Sequence, residues 1–77
     1  MRKSAVIPDI PATRPRTIAA AKGLIARIFE ENNWDASECR RYLKMHGHDT
    51  DLETLSPDGV REITAAMETS RMINFAN

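Results

Sequence analysis

Five side chains able to ligate a metal lie in one short stretch: Cys39, His46, His48, Asp49 and Asp51. Zinc accepts thiolate, imidazole and carboxylate, but zinc modules pair their ligands at short spacing on both sides of a turn. Only His46-Gly47-His48 is paired here. Cys39 and His46 share a helical face, which is also where a small core residue belongs. These residues read as a buried thiol and two loop histidines, with no metal and no cofactor. Nucleophilic catalysis would need a base within reach to activate the thiol. Cys39 is instead expected to pack under Trp34 and stay inert. No oxyanion device, glycine-rich phosphate loop or pair of facing carboxylates can be named. The sequence predicts a protein that is not an enzyme.

The other chemistry on offer is recognition of phosphate. Ser37, Arg40, Arg41 and Lys44 fall on the outer side of one short helix, with 37, 41 and 44 on a single stripe and Glu38 close by. About three residues separate this helix from the one before it. That is the layout of a helix-turn-helix, whose second helix enters the major groove. In that pose Ser37, Arg41 and Lys44 face base edges and Arg40 a phosphate, while Arg14 and Arg16, with Arg2 and Lys3, follow the backbone or minor groove. The formal net charge of zero works against this reading, because affinity for DNA rests on neutralising phosphates.

The zero also conceals a gradient. Residues 1–29 carry six bases against one acid, and residues 30–77 carry five bases against ten acids. Such asymmetry suits a polyanion-seeking arm on an acidic body. It suits equally a fold or dimer in which the halves neutralise each other.

Three helices must position these residues. At 77 residues the chain makes one domain, too small for a substrate cleft between layers. Residues 1–14 read as an extended basic arm, since Pro8, Pro11 and Pro15 fix φ and push their predecessors out of the helical region. Residues 15–71 read as the three-helix domain and 72–77 as a tail. The first helix is expected over about 16–32, with Pro15 near its first position and Gly23 marking the close approach of another helix. The second opens on an Asp35 cap with Glu38 three residues on, and Trp34 and Cys39 at the positions of a hydrophobic staple. It closes near His46, with Gly47 as the left-handed residue. Ser56 caps the third, which begins at Pro57 and ends near Ser70. The expected core is Ile18, Ala21, Leu24, Ile25, Ile28, Phe29, Trp34, Tyr42, Leu43, Leu55, Val60, Ile63 and Met67. No stretch has the alternation of a strand.

Apolar residues remain at both ends: Val6, Ile7 and Ile10, then Met72, Ile73 and Phe75. Apolar surface that no core claims usually finds a partner, and a second copy of the chain is the simplest one. Trp34, Met72, Ile73 and Phe75 are therefore the candidate protein interface. The Met1-Arg2-Lys3 start is followed by an apolar run that stops at Pro8, too short for a signal peptide, and nothing is long enough to span a bilayer. With a single cysteine excluding an internal disulfide, the expected compartment is the cytoplasm. No small-molecule substrate is expected.

Residues 17–70 resemble a small three-helix module of phage proteins. It is similar to the carboxy-terminal module that follows some phage single-strand annealing and recombination proteins, and to part of a phage early regulatory family. The resemblance is carried by Ile25-Ala26-Arg27-Ile28, Asn33-Trp34-Asp35, Tyr42-Leu43 and Leu52-Glu53-Thr54-Leu55-Ser56. It implies an accessory adaptor in the DNA metabolism of a phage or mobile element, and it transfers no catalytic residue. The function expected is thus a non-catalytic regulator acting on nucleic acid, or on a DNA-handling protein. The alternative is a protein-binding inhibitor or adaptor, for example one blocking a host defence complex. In it Glu30, Glu31, Asp49, Asp51 and Glu53 mimic nucleic acid and Trp34, Met72 and Phe75 are apolar anchors.

Overall fold

The computed structural model describes residues 11–76. Their order is β1 (Pro11–Thr13), α1 (Ile18–Glu31), α2 (Ala36–Gly47), α3 (Pro57–Thr69) and β2 (Asn74–Ala76). The fold is a small all-α three-helix bundle, as expected. The arm's first ten residues, with Arg2, Lys3, Val6, Ile7 and Ile10, lie outside the described residues.

Each helix opens on a side chain that satisfies an orphan backbone N–H. Thr17 accepts from Ala20 N–H at 3.0 Å and Ser56 from Gly59 N–H at 3.0 Å. The Asp35 carboxylate accepts from Glu38 N–H at 2.8 Å while Glu38 Oε1 accepts from Asp35 N–H at 3.0 Å, closing the capping box read from the sequence. The first helix starts later than expected. Pro15 is not its first residue, because Thr17 offers a hydroxyl cap that proline cannot.

The helix ends explain how the chain turns. After α1, Asn33 takes φ 57°. Its N–H donates to Glu30 O and that of Trp34 to Phe29 O, at 3.0 and 3.2 Å. This is the Schellman arrangement, and it brings the apolar residue after the turn back onto the helix. Trp34 accordingly stacks on Phe29 with ring centroids 5.4 Å apart. The end of α3 repeats it: Arg71 has φ 62°, Arg71 N–H donates to Glu68 O and Met72 N–H to Met67 O. The end of α2 corrects the sequence reading. His48, not Gly47, takes the left-handed conformation at φ 62°. Gly47 is buried within the last helical turn. A Cβ there would lie 2.7 Å from both Ile63 Cδ1 and Leu55 Cδ1.

α3 is the centre of the bundle and packs against both α2 and α1. Ile25, Ile28, Ile63 and Met67 are fully enclosed, and Ala21, Phe29, Leu43, Leu55 and Val60 complete the expected interior. Leu24, Trp34 and Tyr42 are half-buried at its margin. Ile18 is a correction: in the first turn of α1 it lies at the surface, 37% exposed. Gly23 is another. It faces solvent, and beyond its own stretch of α1 nothing lies within 4 Å of where a Cβ would sit, so no helix approaches it. Gly23→Ala is therefore expected to stabilise the fold by about 0.5–1 kcal/mol, read as a higher midpoint in thermal melts. A lower midpoint would mean the site is packed.

The largest departure is a two-stranded parallel sheet, where no strand was expected. Pro11, Ala12 and Thr13 pair with Asn74, Phe75 and Ala76 in that order. Parallel strands need a long crossover, and here the whole helical unit provides it. Three residues per strand are too few for alternation to show in a sequence. The tail is part of the fold: Ile73 and Phe75 are 2% and 7% exposed and belong to the core.

Candidate nucleic-acid interface

α2 holds the cationic site. Its inward residue is Leu43, with Cys39, Tyr42 and His46 half-buried beside it. Apart from the buried Gly47, its remaining positions face solvent. On that outer side Ser37, Arg40, Arg41 and Lys44 line one open groove with Met45 and Thr50. All are exposed. Among the described residues, the ion pairs are Arg14–Glu68 and Arg61–Asp58, so none engages Arg40, Arg41 or Lys44. Three cations thus share one helix face, none of them ion-paired among the described residues. Lys44 also sits in the last turn, where the helix dipole favours positive charge.

The six residues expected to contact nucleic acid fall into two groups. Ser37, Arg40, Arg41 and Lys44 come together as expected. Arg14 and Arg16 line a different cavity, at the start of α1, with Arg61, Thr17, Thr64 and Phe75 among its walls. Arg14 is tied into the body: its guanidinium lies 4.3 Å from the Phe75 ring centre and 3.3 Å from Glu68 Oε2. Met45, Thr50 and Arg61 were missed by sequence reasoning. Met45 follows Arg41 by one helical turn, and that spacing was the available signal.

A second groove adjoins the first. It is lined by Trp34, Glu38, Arg41, Tyr42 and Met45, so Arg41 and Met45 belong to both. Its aromatic wall is a cluster of packed rings. Trp34 stacks on Phe29, Tyr42 meets Trp34 at 5.0 Å and Phe29 edge-on at 6.0 Å, and His46 packs 4.4 Å from Tyr42. Burial raises the Tyr42 phenol above its usual range, keeping it neutral.

Of the proposed protein anchors, Trp34 opens onto the groove beside the cations and Phe75 contributes to the cavity at the start of α1. Ile73 and Phe75 are core residues and their assignment as interface is corrected: the turn at Arg71 carries them into the interior. Met72 is half-buried, its sulfur 4.0 Å from the Tyr42 hydroxyl. This removes the tail as unclaimed apolar surface and, with it, that half of the argument for a dimer.

The ligand-type residues scatter. The Cys39 thiol lies 3.9 Å from Trp34 O, and burial, then Asp35 and Glu38, raise its pKa. His46 packs on Tyr42 and His48 forms the end of α2. Among the described residues, no three His, Cys, Asp or Glu side chains converge as a metal site would need. Asp49 and Asp51 instead pin the α2–α3 loop. Asp49 accepts from Asp51 N–H at 3.1 Å and from the Thr54 hydroxyl at 2.9 Å, and Asp51 accepts from Glu53 N–H at 3.0 Å. The bonds to Asp49, that from Asp51 N–H first and that from the Thr54 hydroxyl next, hold its carboxyl below its ordinary pKa. Lys22 on α1 donates to Glu53 O at 2.7 Å. No described helix is long and apolar enough to cross a membrane.

Comparison with protein-family models, curated proteins and solved structures returned no match to this chain.

Proposed function

We propose that this chain is a non-catalytic accessory protein of a phage or mobile element that binds nucleic acid through the outer face of α2. The observation that carries the reading is the set of Arg40, Arg41 and Lys44 on one open groove, with Ser37 beside them and, among the described residues, no acid paired to any of them. A stripe of this kind is suited to phosphate oxygens, with the serine as a hydrogen-bonding neighbour. The phage assignment rests on the resemblance of residues 17–70.

Binding of this type releases counterions and weakens with salt. Arg41→Ala combined with Lys44→Ala removes two exposed cations and touches no core residue. The double variant is expected to bind labelled nucleic acid at least tenfold more weakly at low salt. Its slope of log affinity against log salt should be shallower by roughly 1.5–2. An unchanged slope, or no binding by the parent protein to any nucleic acid at low salt, overturns the proposal.

The inhibitor reading draws support from the pinned acidic loop, since a fixed array of carboxylates is a better mimic of phosphates than a floppy one. It loses Phe75 as an anchor. It requires that the parent protein bind no nucleic acid and that a partner co-purify with it.

A further inference from the structure

Resting on the nucleic-acid reading, we infer that the strand bound at α2 is single, with its phosphates on Arg40, Arg41 and Lys44 and its bases in the groove walled by Trp34, Tyr42 and Met45. The two grooves share Arg41 and Met45, so cationic and apolar surfaces are continuous. Met45 is 64% exposed, a large apolar side chain left on the surface of a helix whose other outward positions are mostly polar. An exposed large apolar group beside an aromatic one is the informative kind of surface. The indole of Trp34 is already held by Phe29 and Tyr42, so a base stacking there would not have to order it. Among the described residues Glu38 is the one acid on that wall, and its carboxylate is engaged in the cap of α2.

A duplex cannot use this surface well. Its bases are stacked inside and present only edges in a groove, so a duplex lying along Arg40, Arg41 and Lys44 leaves the Trp34–Met45 wall wet. A single strand offers both parts of its chemistry at once, charge on one side and open π-faces on the other. Stacking on aromatic side chains next to a cationic track is the general means of holding such strands without reading sequence.

Trp34 is the sole tryptophan, so its emission reports on the proposed contact directly. The experiment titrates the full chain with an oligothymidylate and, separately, with a duplex carrying the same number of phosphates, at low and at moderate salt. The oligothymidylate is expected to quench Trp34 and to bind about fivefold or more tightly than the duplex. Met45→Ala, at an exposed position, should lower oligothymidylate affinity by roughly threefold. Duplex binding as tight as that of the single strand, or single-strand binding with Trp34 emission and the Met45→Ala affinity both unmoved, overturns the inference while leaving α2 as a phosphate-binding face. No binding of either titrant at low salt overturns both.

Discussion

Gly59→Ala is expected to destabilise the protein by about 2 kcal/mol, although alanine is the better helix former by up to about 1 kcal/mol. Gly59 lies in the first turn of α3, where α3 meets the end of α2 and the Leu55 side chain. A Cβ there would lie 2.7 Å from the Gly47 carbonyl oxygen, 2.7 Å from Leu55 Cδ1 and 3.2 Å from Leu55 Cγ. The leucine end can rotate only into a core that is already filled, since Leu55 is 3% exposed. The carbonyl cannot rotate at all without unwinding the last turn of α2. Forcing extra volume into a packed site costs about 1–3 kcal/mol and sometimes more, which outweighs the propensity gain. For a domain of this size the loss corresponds to roughly 8–16 °C in melting temperature. Gly47→Ala should cost less, because its nearest neighbours are the side-chain ends of Ile63 and Leu55. Gly23→Ala, with open space around it, should move the other way. Circular-dichroism melts of the three variants test the ordering. If Gly59→Ala raised the midpoint as Gly23→Ala does, α2 and α3 would not approach closely at Gly59.

The three glycines also show what a sequence can and cannot carry. Gly47 was readable as special, but the local rule assigned it the left-handed helix end. Its actual duty is steric and depends on Ile63 and Leu55, which only the tertiary fold brings near. His48 then adopts φ 62° without the glycine that usually marks such a position. Arg71 does the same at the end of α3. That is why the turn carrying Ile73 and Phe75 inward left no trace in the sequence. Helix openings were legible because capping is local: Asp35 with Glu38, and Ser56 with Pro57, each act within four residues. Thr17 was passed over because Pro15 offered a stronger but false signal.

The cationic stripe on α2 was legible for a related reason. Helical spacing fixes which residues share a face, and the capping box fixes where the count begins. Ser37, Arg40, Arg41 and Lys44 could thus be grouped without coordinates. Grouping Arg14 and Arg16 with them needed knowledge of where the arm runs, and spacing holds none. Its course is set by pairing of Pro11–Thr13 with Asn74–Ala76 across the whole domain, and by the stacking of Arg14 on Phe75. The apolar groove beside the cations was missed because it joins residues before and within α2 through the Schellman turn at Asn33.

The second large effect is expected at the tail. Phe75→Ala should destabilise the protein by about 3–5 kcal/mol, the usual range for deleting a buried phenyl ring. Two losses combine. The ring fills the core from outside the helices, 7% exposed and beside Ile73. It is also the platform under Arg14, whose guanidinium bridges β2 to Glu68 of α3. Removing it opens a cavity that the short strands cannot collapse to fill, and it frees the segment that β1 pairs with. A domain this small has a stability of only a few kcal/mol to lose, so the variant should be largely unfolded near body temperature by circular dichroism and urea titration. Arg14→Ala provides the scale. It removes an exposed ion pair and one cation–π contact, and should cost about 0.5–1.5 kcal/mol. A Phe75→Ala protein that melts like the parent would mean that the tail lies on the surface. Phe75 would then return to the set of residues available to a partner, and the nucleic-acid face on α2 would lose its advantage over a protein-binding one.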